Sequence, residues 1–256
     1  MEKLSPTNKI IGICRIRNEE HIIWDTLNHV AQLVDEIVVY DDASTDNTVE
    51  LCLSHPAVVA VKQNKKWEKD SIARNAVEGD YRQEAYIEAL KHGANWIYCF
   101  DADEFADFEG IDFTADAYRL RLFDFYITPE DKNKTWRERK WMGPEYRDIL
   151  MLFKVQDGIR FFQREPVIPT MIATVNQGFV KHYGKAISTA QWEETCNYYV
   201  NHRGNSLDPQ LIKFKKKWEK RKGKAIHKGI SDFGYALIEW KDKEKKGFLL
   251  TPKIDK

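Results

Sequence analysis

Along its first hundred residues the chain alternates between short apolar runs and stretches in which apolar residues recur every three or four positions. The apolar runs, which are typical of buried strands, occupy residues 10–14, 36–40, 58–61 and 96–100. The stretches between them have helical spacing. Polar residues suited to cap a helix precede them, namely Asn18, Asn47 (with Glu50 at capping-box spacing) and Asp80 (with Gln83). Strands that alternate with helices predict a parallel, doubly wound sheet.

The second half of the chain has a less regular pattern. Residues 118–122 alternate polar and apolar, as a half-exposed strand would, and further strands are predicted at 150–153, 159–162 and 170–175. From about Thr189 the pattern becomes helical. We therefore predict an α/β fold with a mostly parallel central sheet flanked by helices, a smaller antiparallel extension and a helical carboxyl-terminal region. We expect one domain over residues 1–185, with residues 186–256 packed on it as an extension.

The composition is that of an ordinary globular protein. Of the 256 residues, 43% are hydrophobic and 31% are charged, and the formal net charge is +0, so no overall field attracts nucleic acid. Residues 1–6 do not resemble a signal peptide, and no run approaches the ~18 apolar residues of a membrane span, so we expect a cytoplasmic protein. The cysteines at 14, 52, 99 and 196 have no paired spacing, which predicts buried reduced thiols.

Polar clusters follow three of the predicted strands, at the edge where parallel sheets bind ligands. They are Arg15 to Glu19 after the first strand, Asp41-Asp42 after the second, and Asp101-Ala102-Asp103 after the fourth. In extended chain, aspartates two apart point the same way, so Asp101 and Asp103 are expected to converge. Oxygen ligands suit a hard ion such as Mg²⁺ or Mn²⁺. The cluster therefore predicts a metal held against an anionic ligand, with phosphate the first candidate.

Two other uses of an Asp-x-Asp sequence fit less well. An EF-hand loop needs an oxygen ligand, a Gly and a Glu at positions that hold Phe105, Ala106 and Asp112 here. Phosphatases of the haloacid dehalogenase type usually have Thr or Val where Phe105 stands. A solvated acidic turn remains the alternative without a ligand.

Three segments together resemble the GT-A glycosyltransferases, in particular the family 2-like group. They are Arg17-Asn18-Glu19-Glu20, the stretch from Val34 to Thr48 (VDEIVVYDDASTDNT), and Asp101-Ala102-Asp103-Glu104. The resemblance covers about the first hundred residues and is looser after Phe105. It implies a GT-A, Rossmann-like fold in which residues 1–105 bind a nucleotide-sugar and residues 106–185 form the acceptor side and complete the metal site.

The resemblance also implies roles for individual residues. Asp41 would contact the base or ribose, with Asp42 beside it, and Asp103 would bind the metal directly. Asp101 would face ribose or metal, and Arg82 would neutralise phosphate or pair with the carboxylates. The remaining donor contacts implied by the resemblance are Arg15, Arg17, Asn18, Glu19 and Ala102. For Asp42, Glu19 and Arg82, the structural alternatives are a turn, a helix-dipole contact and a solvent-facing helix position.

The second half adds candidates for metal binding and catalysis. His182 looks like the late histidine that GT-A enzymes use as a further metal ligand, and Lys185 is a candidate phosphate contact. A lone histidine is otherwise usually a structural hydrogen-bonding group. An inverting enzyme of this family needs a carboxylate base, for which Asp148 and Glu145 are the candidates by order along the chain. Asp148 is preferred narrowly because it precedes the apolar run 149–153.

These interpretations converge on a metal-dependent, inverting glycosyltransferase that uses Mn²⁺ or Mg²⁺. Its partners would be a UDP-, GDP- or TDP-linked sugar and a glycan or lipid-linked glycan acceptor. The lysine-rich residues 213–224 are either a solvated helix face or a peripheral contact with anionic lipid at the inner membrane face. The alternatives are a sugar nucleotidyltransferase, although residues 14–19 lack the expected glycine-rich loop, and a non-catalytic carbohydrate-binding or scaffold protein.

Overall fold

A computed structural model describes residues 8–68, 71–170, 172–201 and 209–242. The predicted alternation of strands and helices in the first hundred residues is confirmed. It runs β1 (Ile10–Ile16), α1 (Ile23–Val30), β2 (Glu36–Asp41), α2 (Thr48–Ser54), β3 (Val58–Gln63), α3 (Ser71–Lys91) and β4 (Trp96–Phe100). The later elements are β5 (Glu104–Asp107), β6 (Ala117–Phe125), β7 (Trp141–Lys154), β8 (Arg160–Phe161), β9 (Pro166–Val167), β10 (Thr174–His182), α4 (Thr189–Asn201), α5 (Pro209–Glu219) and β11 (Ile238–Glu239). Short 3₁₀ helices cover Trp136–Glu138 and Trp240–Asp242.

The central sheet has the strand order β3-β2-β1-β4-β7-β6-β10-β5, with β11 beside β7. β1 pairs in parallel with both β2 and β4, and β2 pairs in parallel with β3. β7 runs antiparallel to β4, so the antiparallel extension begins there. The order reverses between β1 and β4, which are adjacent although two strands separate them in the chain. Such a reversal is where doubly wound sheets bind ligands, and the predicted fold class is confirmed.

Three of the four apolar runs form strands that are buried on both faces, whereas β3 is only partly buried. All five residues of β4 are buried, as are most of those of β1 and β2. Gly12 lets the neighbouring side chains approach β1 closely, since a Cβ there would lie 3.1 Å from the ring of Phe100. Helix α1 buries Ile23, Leu27 and Val30, at the helical spacing seen in the sequence.

Several predicted boundaries are wrong. Helix α1 begins at Ile23 and not near Asn18, which has a positive φ of 54°. The predicted start of α2 is confirmed, since Asn47 is its N-cap residue, but Asn47 makes no side-chain cap, and Asp46 accepts from the backbone N–H of Thr48. Helix α3 begins at Ser71, well before Asp80.

The later strands also differ in extent from the prediction. β6 and β7 are longer than the predicted 118–122 and 150–153, and β10 begins at Thr174 and not at residue 170. The helical character from Thr189 is confirmed by α4. All four cysteines are buried and free, as predicted. The predicted features of residues 1–6 lie outside the described residues.

The contacts divide the chain into two compact units. The first comprises residues 1–68, 73–121 and 149–180, and the second comprises residues 69–72, 122–148 and 181–256. The core of the first unit joins residues of β1, β2, β4 and α3. The second unit contains a smaller cluster formed by Trp192, Cys196, Trp218 and Ala225. The division into residues 1–185 and 186–256 stays a prediction. In the part of the chain that is described, no helix has both the length and the apolar character needed to cross a bilayer.

Candidate functional site

The Asp101 to Glu104 segment is a tight turn between β4 and β5. The backbone N–H of Glu104 donates to the carbonyl of Asp101 at 3.2 Å, and the Glu104 carboxylate accepts from the backbone N–H of Asp101 at 3.0 Å. The expected extended geometry is therefore wrong for Asp101 and Asp103. Ala102 is buried in the turn, and its carbonyl accepts from the hydroxyl of Thr26 on α1. Hydrogen bonds within the turn and the contact between Ala102 and α1 thus hold the turn in place.

Two arginines hold the carboxylate of Asp101, one on each oxygen. Arg82 donates to Oδ1 at 2.7 Å and Arg164 donates to Oδ2 at 2.8 Å. Arg164 also reaches Glu104 at 2.6 Å, and the Glu104 side chain is 0% exposed. Burial lowers the pKa of the Arg164 guanidinium, but the charges of Asp101 and Glu104 outweigh burial and raise it. Asp101 and Glu104 are therefore paired with permanent cations.

Helix α3 supplies Arg82, whose side chain is only 5% exposed. Its other nitrogen, Nη1, donates to the sulfur of Cys99 at 3.4 Å. The charge of Asp101 outweighs the lowering effect of burial and raises the pKa of Arg82 well above its usual value. Of the roles considered for Arg82, pairing with a carboxylate is the one that the structure shows, and a solvent-facing position is wrong.

Arg164 is a site residue that the sequence did not reveal. It lies on the hairpin formed by β8 and β9, between Phe161 and Pro166. This hairpin is held against α3, because the backbone N–H of Phe161 donates to Gln83 at 2.9 Å. Gly79 permits the approach, since a Cβ there would lie 2.5 Å from the carbonyl oxygen of Phe161. Arg164 lies in an irregular segment 63 positions after Asp101, and no sequence pattern at that separation predicts a contact with the turn.

Asp103 and Glu104 bring two carboxylates together in the same turn. One oxygen of each lies within 4.8 Å of the other, and Asp103 is half-buried. Two carboxylates at this spacing are a donor set that suits a hard divalent cation. Asp103 and Glu104 could therefore offer oxygen ligands to a divalent cation, whereas the predicted ligand set of Asp101, Asp103 and His182 stays a prediction.

The carboxyl ends of β1 and β2 carry a second charged group. Arg15 donates to the buried carboxylate of Asp42 at 2.6 Å, and Asn64 donates to the other oxygen of Asp42 at 3.0 Å. Asp41 is also buried and accepts from the backbone N–H of Ser44 at 3.1 Å. Burial raises the pKa of Asp41 despite that hydrogen bond. Asp42 is thus an ion-paired residue, and Asp41 holds the loop after β2.

Arg17 and its neighbours tie the loop after β1 to the loop after β2. Arg17 donates to the carbonyl of Ala43 at 2.6 Å, and its guanidinium lies 4.1 Å from the ring centroid of Trp67. The side chain of Asn18 accepts from the backbone N–H of Thr45 at 2.8 Å. The backbone N–H of Glu19 donates to the hydroxyl of Thr48 at 2.7 Å. Asn18 therefore joins two loops and does not cap α1.

The two charged groups of the first unit are connected through Glu78 on α3. This carboxylate lies 3.9 Å from Arg15 and 3.7 Å from Arg82. Asp42, Arg15, Glu78, Arg82 and Asp101 form a continuous row of alternating charges along the carboxyl ends of β2, β1 and β4. The structure thus brings together Arg15, Asp42, Arg82 and Asp101, four of the residues predicted from sequence.

In the second unit, Asp124 binds three basic side chains. His182 Nδ1 lies 2.5 Å from Oδ1, Lys185 lies 2.7 Å from Oδ2, and Arg147 donates to Oδ1 at 2.9 Å. Burial would raise the pKa of Asp124, but Lys185, Arg147 and His182 hold it well below its usual range. Asp124 on β6 was not predicted, because a single aspartate in an alternating strand has no distinctive pattern.

A second buried acid, Asp232, repeats this arrangement. It lies 3.2 Å from Lys185, 2.7 Å from Arg221 and 3.0 Å from His227 Nε2. The His227 hydrogen bond and the two cations outweigh burial and lower the pKa of Asp232 to about 2. Lys185 therefore bridges Asp124 and Asp232, and the structure shows it as a paired residue.

The two base candidates lie on β7 in different surroundings. Glu145 is buried and accepts from Tyr126 at 3.3 Å and from Ser231 at 3.1 Å. Burial raises the pKa of Glu145. Asp148 is half-buried, near the middle of the strand. Which of the two acts as a base stays a prediction.

Comparison with known proteins identifies the class. The sequence model described as glycosyl transferase family 2 matches residues 13–154, which is more than half of the chain. The chain therefore belongs to glycosyl transferase family 2, and the predicted resemblance is confirmed. The match includes the turn at Asp101 and the loops after β1 and β2.

Individual relatives are more distant. Uncharacterized proteins of Mycobacterium bovis and Mycobacterium tuberculosis are each 27% identical over 160 residues, which cover 59% of this chain and 35% of theirs. The match thus spans about a third of the length of these curated relatives. Two solved structures are similar at low scores. Glucosyl-3-phosphoglycerate synthase from Mycobacterium tuberculosis has 18% identity and a TM-score of 0.30, covering 51% of this chain and 48% of that chain. 4-Diphosphocytidyl-2C-methyl-D-erythritol synthase has 16% identity and a TM-score of 0.35, covering 59% and 76%.

Proposed function

We propose that the protein is a metal-dependent, inverting glycosyltransferase that moves a sugar from a nucleotide donor to a hydroxyl of a glycan or lipid-linked glycan. The observation that carries the proposal is the acidic turn after β4. Two arginines compensate Asp101 in this turn, and two further carboxylates, Asp103 and Glu104, have oxygens within 4.8 Å of each other. Compensation of Asp101 leaves the turn able to bind one divalent cation without an excess of buried negative charge.

The chain's own residues have distinct roles in this proposal. Asp103, with Glu104 beside it, holds Mn²⁺ or Mg²⁺, which when bound neutralises the diphosphate leaving group. Arg82 and Arg164 fix the position of the turn by holding Asp101 and Glu104. His182 as a further metal ligand and Lys185 as a phosphate contact remain sequence-based parts of the proposal.

Proton removal from the acceptor is assigned to Asp148. Glu145 already accepts from two hydroxyl groups, Tyr126 and Ser231, in buried surroundings, an arrangement that suits a structural role. Asp148 is half-buried and lies on the same strand. A carboxylate with access to solvent is better suited to take a proton and release it again. A cytoplasmic location and a UDP, GDP or TDP donor belong to the same proposal.

A thermal-shift panel tests the donor class. The protein is heated with UDP, GDP, TDP, CDP or ADP, each with and without Mn²⁺. One nucleotide should raise the melting temperature only when the metal is present, because ligands that bind the folded state stabilise it. A nucleoside diphosphate that stabilises equally without metal would contradict the metal role.

A second assay separates an enzyme from a binding protein and from a nucleotidyltransferase. The purified protein is incubated with the matching nucleotide-sugar, Mn²⁺ and no acceptor, and released nucleoside diphosphate is measured. Slow release of the diphosphate supports sugar transfer to water. A parallel reaction with added pyrophosphate that releases nucleoside triphosphate and sugar phosphate points to nucleotidyl transfer. Complete inertness in both reactions together with tight sugar binding points to a binding protein.

A further inference from the structure

Helix α5 and the residues after it carry a concentrated positive charge. Between positions 213 and 228 the chain has nine lysine and arginine residues and a single glutamate, although the whole chain has a net charge of +0. We call six of the exposed lysines of this segment the lysine surface: Lys213, Lys216, Lys220, Lys222, Lys224 and Lys228. Within the described part of the chain, none of these six is ion-paired with an acid. Among the described residues, ion pairs with acids therefore do not compensate the charge of the lysine surface.

Helix α5 presents Lys213 and Lys216 outward because its other face is packed. Phe214 and Trp218, four positions apart, contact Tyr199 on α4, and the rings of Trp218 and Tyr199 stack at 4.4 Å. Trp192 donates from its ring nitrogen to the carbonyl of Arg221 at 3.0 Å, which fixes the end of the helix. The lysine surface thus begins on a packed helix and continues in the residues that follow it.

Exposed apolar side chains occur in the same segment. Ile212, Ile226 and Ile230 are 39%, 37% and 55% exposed. Phosphate groups of a nucleic acid would attract the lysines but gain nothing from the isoleucines. A membrane interface satisfies both, because ammonium groups meet anionic headgroups while apolar side chains enter the acyl boundary.

We propose that the lysine surface binds the face of a bilayer that contains anionic phospholipid, with the exposed isoleucines entering the interface. The binding is peripheral and depends on ionic strength, because its main contribution is electrostatic. It does not require the donor, the metal or the proposed sugar transfer. If the acceptor is lipid-linked, the same contact concentrates the protein where that acceptor resides.

Vesicle sedimentation of the whole protein tests the proposal. Protein is mixed with vesicles of phosphatidylcholine alone or of phosphatidylcholine with phosphatidylglycerol, and the pelleted fraction is measured at low and high salt. We expect pelleting only with phosphatidylglycerol, and its loss at high salt. Binding to both vesicle types alike, or to neither, would overturn the proposal.

Matched variants locate the contact. The triple variant Lys213→Gln/Lys216→Gln/Lys220→Gln should bind on the order of 100-fold more weakly, since each basic residue near an anionic surface contributes about fivefold. Lys65→Gln/Lys132→Gln/Lys134→Gln removes the same charge from exposed positions elsewhere and should bind like the parent. Equal loss in both triples would refute a localised contact.

A last pair of measurements separates lipid from other polyanions. Ile230→Ser should weaken vesicle binding while leaving binding to a single-stranded oligonucleotide unchanged, because only the bilayer receives the isoleucine. Tighter binding to the oligonucleotide than to vesicles, or no effect of Ile230→Ser on vesicles, would overturn the assignment to a membrane. Circular dichroism of each variant confirms that it is folded.

Discussion

Arg164 and Asp101 form an ion pair of 2.8 Å between the β8–β9 hairpin and the turn after β4. Because the same guanidinium reaches Glu104, one residue of the hairpin compensates two acids of the turn. The turn therefore depends on a segment that lies outside the region of clear sequence resemblance.

Replacement of Arg164 by Met should destabilise the protein substantially. The fully buried Glu104 would lose its cation, and breaking a buried pair from one side costs about 3–5 kcal/mol. Urea denaturation measures the change in the free energy of unfolding. The control is Arg119→Met, which breaks a half-exposed pair with Glu165 and should cost less than about 1 kcal/mol. The double variant Arg164→Met/Glu104→Gln should recover part of the loss, and failure to recover would contradict this account.

Replacement of Asp103 by Asn should abolish sugar transfer and leave the melting temperature within a few degrees. Asp103 is half-buried, and its proposed role is to bind metal. The readout is the Mn²⁺-dependent part of the thermal shift given by the matching nucleotide, which should disappear. Asp107→Asn, an exposed change on β5, should keep that shift. Unchanged turnover in Asp103→Asn would remove the metal role.

Replacement of Asp124 by Asn tests whether His182 is a metal ligand. Asp124 accepts from Nδ1 of His182, and this bond favours the tautomer whose Nε2 carries the lone pair. Loss of such an orienting carboxylate weakens metal binding about 10–100-fold. Mn²⁺ affinity is measured by calorimetry. The Asp232 and His227 pair offers a matched control, and Asp232→Asn should leave Mn²⁺ affinity unchanged. Equal effects in the two variants would show that Asp124 acts only structurally.

Replacement of Asp148 by Asn should lower turnover about 100-fold or more, the usual contribution of a general base. The nucleotide-dependent thermal shift should persist, because the proposed base does not bind the donor. Glu145→Gln retains groups able to bond with Tyr126 and Ser231 and should lose less activity. The reverse ranking of the two variants would assign the base to Glu145.

Acid sensitivity should follow from Asp232. Its pKa in the folded protein is about 2, below the ordinary value of 3.8, so the folded state favours the ionised form. The stabilisation is fully present above about pH 4 and is lost as the pH falls toward 2, amounting to roughly 2 kcal/mol. The slope of the unfolding free energy against pH, measured between pH 4 and 2, should be smaller in Asp232→Asn. An unchanged slope would show that other acids dominate.

The elements that could be predicted from the sequence are those that leave a local, repeating pattern of apolar residues. Apolar runs located β1 to β4, and burial on both faces explains the continuous apolar pattern of β1, β2 and β4. The loops after those strands could then be placed at one edge of the sheet. Asn18 and Asp80 were misjudged as helix starts because a polar residue before an apolar stretch serves equally to join two loops or to lie within a helix. Asp101 was identified as a candidate site residue, but its backbone conformation was not predicted, because the same short sequence is compatible with a turn and with an extended segment.

The residues that sequence analysis missed act across long separations. Arg164 meets Asp101 only because the β8–β9 hairpin lies on α3, and Asp124 meets His182 only because β6 and β10 are neighbours in the sheet. Neither contact leaves a periodic pattern. Charged residues in irregular segments cannot be assigned partners until the topology is known.

Gly79 gives the hairpin contact a further consequence. There is no room for even a methyl group between α3 and the backbone at Phe161, so the hairpin can lie this close to the helix only because Gly79 has no Cβ. An alanine there would push the hairpin outward and draw Arg164 away from its acids. Activity would then be lost through a substitution at a residue that has no functional side chain. A survey of the charged residues alone would not identify the cause.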